Sequence, residues 1–194
     1  MRHLIGLLLL LIIGFTSCEG RKTSTVALKE SVEDFKKNVS IEVKVYEPES
    51  YMEQEVDTLL SNGFRVKIKT KSDMANSVLF TKIKDTINYQ TYYRNFKFRI
   101  VVEKDGNLIF DQNFDKKQIN QILDFNSKSE QGSPYRNFNS LAILKSIEVN
   151  NESVFENGVE IDIMYAIPNS NRKSNHKFQI DAFGALNVIA NKVI

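Results

Sequence analysis

The chain predicts a mainly β fold of the α+β kind: antiparallel sheets built from hairpin meanders, sandwich-like, with one or two short helices. Three observations carry this. Apolar and polar residues alternate with period two through most of the chain after Val39, as half-buried strands require. Asn62-Gly63, Asp105-Gly106 and Asn157-Gly158 interrupt the alternation with residue pairs that suit tight hairpin turns. Within the body of the chain, clear helical spacing is confined to the segment of Ile119, Ile122 and Leu123.

The elements follow in order. Ile41, Val43 and Val45 alternate with Glu42, Lys44 and Tyr46, a half-buried strand. Glu55 to Leu60 is a weaker strand, reversed at Asn62-Gly63 into Phe64, Val66 and Ile68, which alternate with Arg65, Lys67 and Lys69. Val78 to Lys84 repeats the pattern less cleanly. Tyr93 to Glu103 is the clearest strand, with Phe96, Phe98, Ile100 and Val102 on one side. Lys104-Asp105-Gly106-Asn107 turns it into Leu108 to Phe114, where Leu108, Phe110, Gln112 and Phe114 share a face. Asp115 is placed to cap the short helix that follows.

Beyond the polar run Asn126 to Ser133, Leu141 to Leu144 reads as a helical turn or a strand start. Ile147 to Phe155 and Val159 to Ile167 flank Glu156-Asn157-Gly158. Asn169 to Asn175 reads as a polar loop, and Lys177 to Ala182 with Leu186 to Ile189 as a last hairpin around Gly184. Gly63 and Gly158 are both expected at positive φ, as Asn-Gly hairpins require. The polar run at 126–134 could divide the body, but each half alone has a thin core, so residues 39–194 read as one domain.

The N-terminus has a different texture. Met1-Arg2-His3 precedes an apolar run from Leu4 to Phe15, then Thr16-Ser17-Cys18. A positive start, an apolar core and small residues before a processing point make a secretory signal, residues 1–17. As a helix the run would rise roughly 18 Å, short of a bilayer core of about 30 Å. Phe15-Thr16-Ser17-Cys18 resembles the lipobox of bacterial lipoproteins, with phenylalanine where leucine is usual. The resemblance implies that Cys18 receives a diacylglycerol thioether and acyl chains such as palmitate, anchoring the protein in a membrane of the cell envelope. Residues 18–38, polar and charged, then form a tether, with helical character around Val32 to Lys37.

The hairpin Phe98 to Phe114, the helix after it, Met164-Tyr165-Ala166-Ile167-Pro168 and the terminal hairpin resemble small lipoproteins of Bacteroidetes-type bacteria with an uncharacterised domain. That resemblance implies a fold and a location, and no chemistry.

Composition excludes several functions. Cys18 is the single cysteine, so a lipidated chain keeps no thiol for a disulfide, a nucleophile or a thiolate metal site. Of the two histidines, His3 leaves with the signal. His176, beside Arg172, Lys173 and Lys177, reads as an exposed loop residue rather than part of a triad. Eight glycines form no phosphate-binding loop, and no calcium loop occurs, so no cofactor is expected. A net charge of +2 demands no polyanion, and no nucleic-acid partner is expected.

The candidate sites are few. Arg65, Lys67, Lys69 and Lys71 share one strand face, Lys82 and Lys84 another, Lys97 and Arg99 a third. As neighbours these strands would present a cationic ligand face, suited to an acidic glycan, a lipid headgroup or an acidic protein. Otherwise it is a solvated face that discourages edge pairing. Glu160 and Asp162 share a strand face at a separation a glycosidase could use, so a hydrolase of envelope polymers is the alternative to a non-catalytic binding domain with an envelope protein or glycan partner. Asp111 and Asp115 read as ordinary surface acids. Asp57-Thr58-Leu59 and Asp85-Thr86-Ile87 resemble the Asp-Ser/Thr-apolar acceptor of O-glycosylated exported proteins, which would make Thr58 and Thr86 modification sites.

Overall fold

The computed structural model describes residues 23–38, 41–128, 133, 136–152, 155 and 157–190. The proposed signal and Cys18 lie outside the described residues. The chain falls into two compact units, Met1–Glu42 with Ile83–Asn88, and Val43–Lys82 with Tyr89–Ile194.

In the first unit, helix α1 (Ser24–Asn38) covers more of the tether than Val32 to Lys37. Thr23 starts it: its hydroxyl accepts from the Val26 amide at 3.4 Å, an N-cap arrangement. Leu28, Val32 and Phe35 on it are exposed. The same unit holds a two-residue hairpin turn, Asp85 at φ 50° and Thr86 at φ 71°. A β-branched residue at positive φ is unusual, because Cβ crowds the backbone there.

The second unit carries two antiparallel-paired sheets. Strands β1 (Ile41–Glu47), β2 (Glu53–Leu59), β3 (Phe64–Lys84), β4 (Ile87–Lys104) and β5 (Asn107–Phe114) form the first, in the order β1-β4-β3-β2 with β5 also on β4. Strands β6 (Ile143–Val149), β7 (Gly158–Ala166), β8 (Lys173–Asp181) and β9 (Leu186–Ala190) form the second, in that order. Three short helices link them: α2 (Lys116–Ile122), α3 (Phe125–Lys128) and α4 (Phe138–Leu141). This is the β-rich, sandwich-like α+β fold that the alternation predicts.

Both sheets contribute to one core. Phe64, Val66 and Ile68 of β3, Phe98, Ile100 and Val102 of β4, and Ile161, Ile163, Phe178 and Ile180 of β7 and β8 are all buried in it. Phe114 joins the sheets, stacking on Phe98 at 5.0 Å and meeting Phe178 edge-on at 5.6 Å. Asp115 caps α2 through a reciprocal box: its carboxylate accepts from the Gln118 amide at 2.8 Å, and Gln118 Oε1 accepts from the Asp115 amide at 2.9 Å. This cap turns the chain out of β5 and drops Ile119 and Leu123 into the core.

Several expectations are corrected. β3 is one strand rather than two, and it stays paired where Ser72 and Asp73, adjacent in sequence, are both buried and erase the period-two signal. Strand β1 is exposed at Ile41 and Val45, because alternation reports which way residues face and not whether anything covers them. Leu108 does not share the buried face of Phe110 and Phe114. Val102 opposes Phe110 while Glu103 opposes Leu108, so an irregularity at Ile109 turns Leu108 outward, 61% exposed. Gly63 does sit at φ 84°, but Gly158 is not among the positive-φ residues and opens β7 directly. What excludes a side chain at Gly158 is space: a Cβ would lie 2.3 Å from the Ile180 carbonyl oxygen.

His176 is also corrected. It is 1% exposed, an inward residue of β8 between Ser174 and Phe178, because the strand begins at Lys173 inside the expected loop. Ser174 Oγ and His176 Nε2 satisfy one another at 2.6 Å, so two polar residues occupy core positions that hydrophobic alternation cannot flag.

Candidate functional site

The basic strand positions are brought together on the outer face of the first sheet, and acids come with them. β2 pairs with β3 in a register that sets Glu53 opposite Lys71, Glu55 opposite Lys69 and Asp57 opposite Lys67. Arg65 grips Asp57 with two hydrogen bonds of 2.8 and 2.7 Å, Lys69 pairs with Glu53 at 2.7 Å, and Lys67 with Glu103 at 2.9 Å. Arg99 makes the same fork on Asp111. Lys97 pairs with Asp73 at 3.1 Å. The Arg65 and Arg99 guanidinium groups hold Asp57 and Asp111 below the usual carboxylate range, and Lys69 does so for Glu53.

The face is therefore a ladder of alternating charge rather than a cationic platform. Lys82 and Lys84 are exposed at the far end of β3 and take no part in it. Reversing Lys67 and Lys69 together to glutamate should leave the domain folded, since neither side chain enters the core, but lower its thermal midpoint more in dilute buffer than at 1 M salt. Equal losses at both salt concentrations would show that packing, not charge, holds that face.

Glu160 and Asp162 share the outer face of the second sheet, as expected. Glu160 is nevertheless 6% exposed, covered by its own partners. Lys177 Nζ donates to Glu160 Oε1 at 2.6 Å, Gln179 Nε2 to Oε2 at 3.0 Å, and Asn150 Nδ2 bridges Glu160 Oε1 and Asp162 Oδ2 at 3.0 Å each. Burial alone would raise the Glu160 carboxyl, but the Lys177 ammonium and the two amides outweigh it and hold the carboxyl below its ordinary range. A glycosidase acid must carry its proton at working pH, and this environment does the reverse.

Thr58 is half-buried on the inner side of β2, and Thr86 is exposed at the β3–β4 turn. Only Thr86 presents its hydroxyl as an acceptor residue would need to. Among the described residues, no three His, Cys, Asp or Glu side chains gather where they could hold a metal ion.

Two concavities went unforeseen. The first is a groove of about 450 Å³ flanked by the two sheets' edge strands, β2 and β6. Gln54, Val56 and Thr58 of β2 line one wall and Leu144 to Val149 of β6 the other, with Ile68 and Phe96 at hand. Each edge strand pairs on one side only, so its other row of amides and carbonyls has no sheet partner. Period-two patterning identifies strands but not which of them end a sheet, so the groove was not legible.

The second is a polar cleft of about 410 Å³ lined by Asp73, Asn76, Asn95, Lys97, Asp115, Lys116, Lys117, Asn120 and Asn126. Lys116 is half-buried and donates to the Ser140 carbonyl at 2.7 Å. Burial pulls its ammonium down to about 8, the effect of desolvating a cation. Asp73 is spoken for: burial favours its neutral form, but Asn76, Lys97 and the Ala75 amide outweigh that and hold it below the ordinary carboxylate range. The Asn95 side-chain oxygen is enclosed without a hydrogen-bond partner. Asparagines are spread along this chain without periodicity, so nothing in the sequence gathers these four. No protein-family model matches the chain, and no curated protein matches it.

Proposed function

We propose that the chain is an envelope lipoprotein, held by acyl chains on Cys18, whose body is a non-catalytic binding domain that receives an extended polypeptide segment of another envelope protein. The observation that carries the binding mode is the groove between β2 and β6. An extended peptide laid against either edge would add a strand, drawing affinity from main-chain hydrogen bonds and selectivity from alternate side chains. The lining suits such a guest: Val56, Ile147 and Phe96 offer apolar contact, while Gln54, Thr58 and Ser146 are neutral and polar.

The test is a photo-crosslinking residue at Val56 in cells of the native host, with a second variant carrying it at Lys69 on the opposite face. A discrete adduct with an envelope protein is expected at Val56 and none at Lys69. Adding Glu55→Pro, which removes an amide that points away from β3 at the free edge, should reduce the Val56 adduct at least tenfold. Adducts at both positions, or at neither, would sink the groove as the binding site.

A further inference from the structure

We propose that the cleft around Lys116 is a second, independent binding site, for a hydroxyl-rich carboxylate of the uronic-acid sugar class. The inference does not rest on the groove, which is lined by different residues.

Charge sets the first requirement. Lys97, Lys116 and Lys117 face the cleft against Asp73 and Asp115, three cations against two anions. Both anions are already engaged, Asp73 by residues of the cleft itself. Asp73 takes Lys97 at 3.1 Å, Asn76 at 2.9 Å and the Ala75 amide at 3.1 Å, and Asp115 caps α2. Lys116 forms no ion pair among the described residues. Its bond to the Ser140 carbonyl uses one of the three donors an ammonium carries. A cation that burial has stripped of water, left without a counter-ion, is stabilised by a ligand that brings one negative charge.

Hydrogen-bonding capacity sets the second requirement. Asn76, Asn95, Asn120 and Asn126 line the same walls. Asn76 already donates to Asp73, Asn120 donates to the Asn139 carbonyl, and Asn126 accepts from the Asn139 side-chain amide. An amide nevertheless presents an acceptor with two lone pairs and two donors, so each keeps capacity for neighbouring hydroxyls on a sugar ring. Among the described residues no aromatic side chain lines the cleft, and every lining residue is charged or an asparagine, which suits a polar ligand. Its volume, about 410 Å³, is in the range of small-molecule sites.

Isothermal titration of the mature protein with a glucuronate-containing disaccharide, its neutral glucose counterpart, acetate and inorganic phosphate tests this. Saturable binding of the acidic disaccharide is expected, with the neutral sugar, acetate and phosphate each at least tenfold weaker. Lys116→Met should lose that binding at least tenfold. Because a half-buried lysine can also support folding, the exposed-site variant Asn126→Asp provides a second arm: it adds a negative charge to the cleft and should weaken the acidic disaccharide while leaving the melting curve unchanged. Equal binding of the neutral sugar overturns the role of Lys116, and equal binding of acetate or phosphate overturns the sugar. Absence of any binding, or acidic-sugar binding that survives both substitutions, overturns the site. Loss of the Val56 crosslink leaves all these outcomes unchanged, so the two sites fail separately.

Discussion

Gly184→Ala should destabilise the domain by about 3 kcal/mol, the sum of a left-handed backbone penalty and a collision. Gly184 sits at φ 78°, and a Cβ there would lie 2.1 Å from the Ile109 carbonyl oxygen. The turn between β8 and β9 thus rests against the irregular residue of β5, and the second sheet approaches the first through a gap only glycine leaves. Gly106 separates the two causes. Its φ is 83°, but nothing lies within 4 Å of a Cβ there, so Gly106→Ala should cost about 1 kcal/mol from the backbone alone. Gly158→Ala isolates the other cause, since a Cβ would meet the Ile180 carbonyl oxygen at 2.3 Å and Phe155 Cε1 at 2.2 Å without a positive φ. Its loss should approach that of Gly184→Ala and exceed that of Gly106→Ala. Urea unfolding of the three variants gives the comparison. Equal small losses at all three would mean that the close approaches at Ile109 and Ile180 relax freely. Since a domain of this size is held by about 5 to 15 kcal/mol, a loss of about 3 is a substantial share.

These glycines also show how far the sequence reads. Asn62-Gly63, Asp105-Gly106 and Gly184 announce turns because local chemistry alone demands positive φ there, and the structure has all three. Asn157-Gly158 carries the same signature for a different reason, a contact with a strand over twenty residues away that no local rule contains. The faces of β3 and β4 follow the same division. Phe64, Val66 and Ile68 point inward as alternation predicts. Leu108 is turned out by an irregularity whose position depends on how β5 meets β4.

The charged face is legible once the hairpin is folded. Glu53, Glu55 and Asp57 alternate at the same period as Arg65, Lys67, Lys69 and Lys71, on either side of one Asn-Gly turn. Folding that hairpin on paper sets acid against base at three rungs, with Arg65 opposite Leu59 and reaching diagonally to Asp57, as in the structure. Reading basic residues without their hairpin partners produced a cationic face that pairing dissolves. His176 was illegible for a different reason. A polar residue among arginine and lysines looks like a loop until its strand is known, and that strand's inward positions are half polar, Ser174 and His176 before Phe178 and Ile180. The groove and the cleft lie further still from the sequence. Each is assembled from segments that meet only once sheet order is fixed, Val56 with Ile147 in one and Asn95 with Lys116 in the other.

Cys18→Ala should abolish lipid anchoring, moving the processed protein from the membrane fraction to the soluble one or leaving an unprocessed precursor with its signal intact. The reasoning is one of anchoring energy. Each buried methylene contributes about 0.8 kcal/mol, and a single fourteen-carbon chain holds a protein only reversibly, whereas two or more hold it for the life of the molecule. No described helix is long and apolar enough to cross a bilayer. Helix α1 offers Val26, Leu28, Val32 and Phe35, four exposed apolar side chains among the described residues. Interfacial binding through so little apolar area is weak and gives a salt- and dilution-sensitive association rather than a stable one. Fractionation in high-salt wash distinguishes the cases. The parent should stay with membranes through the wash, and any Cys18→Ala protein that does so should be unprocessed precursor by its size. A variant that is trimmed at the same position and withstands the wash like the parent would show that something other than acyl chains on Cys18 holds the protein, and the lipoprotein reading would fall with it.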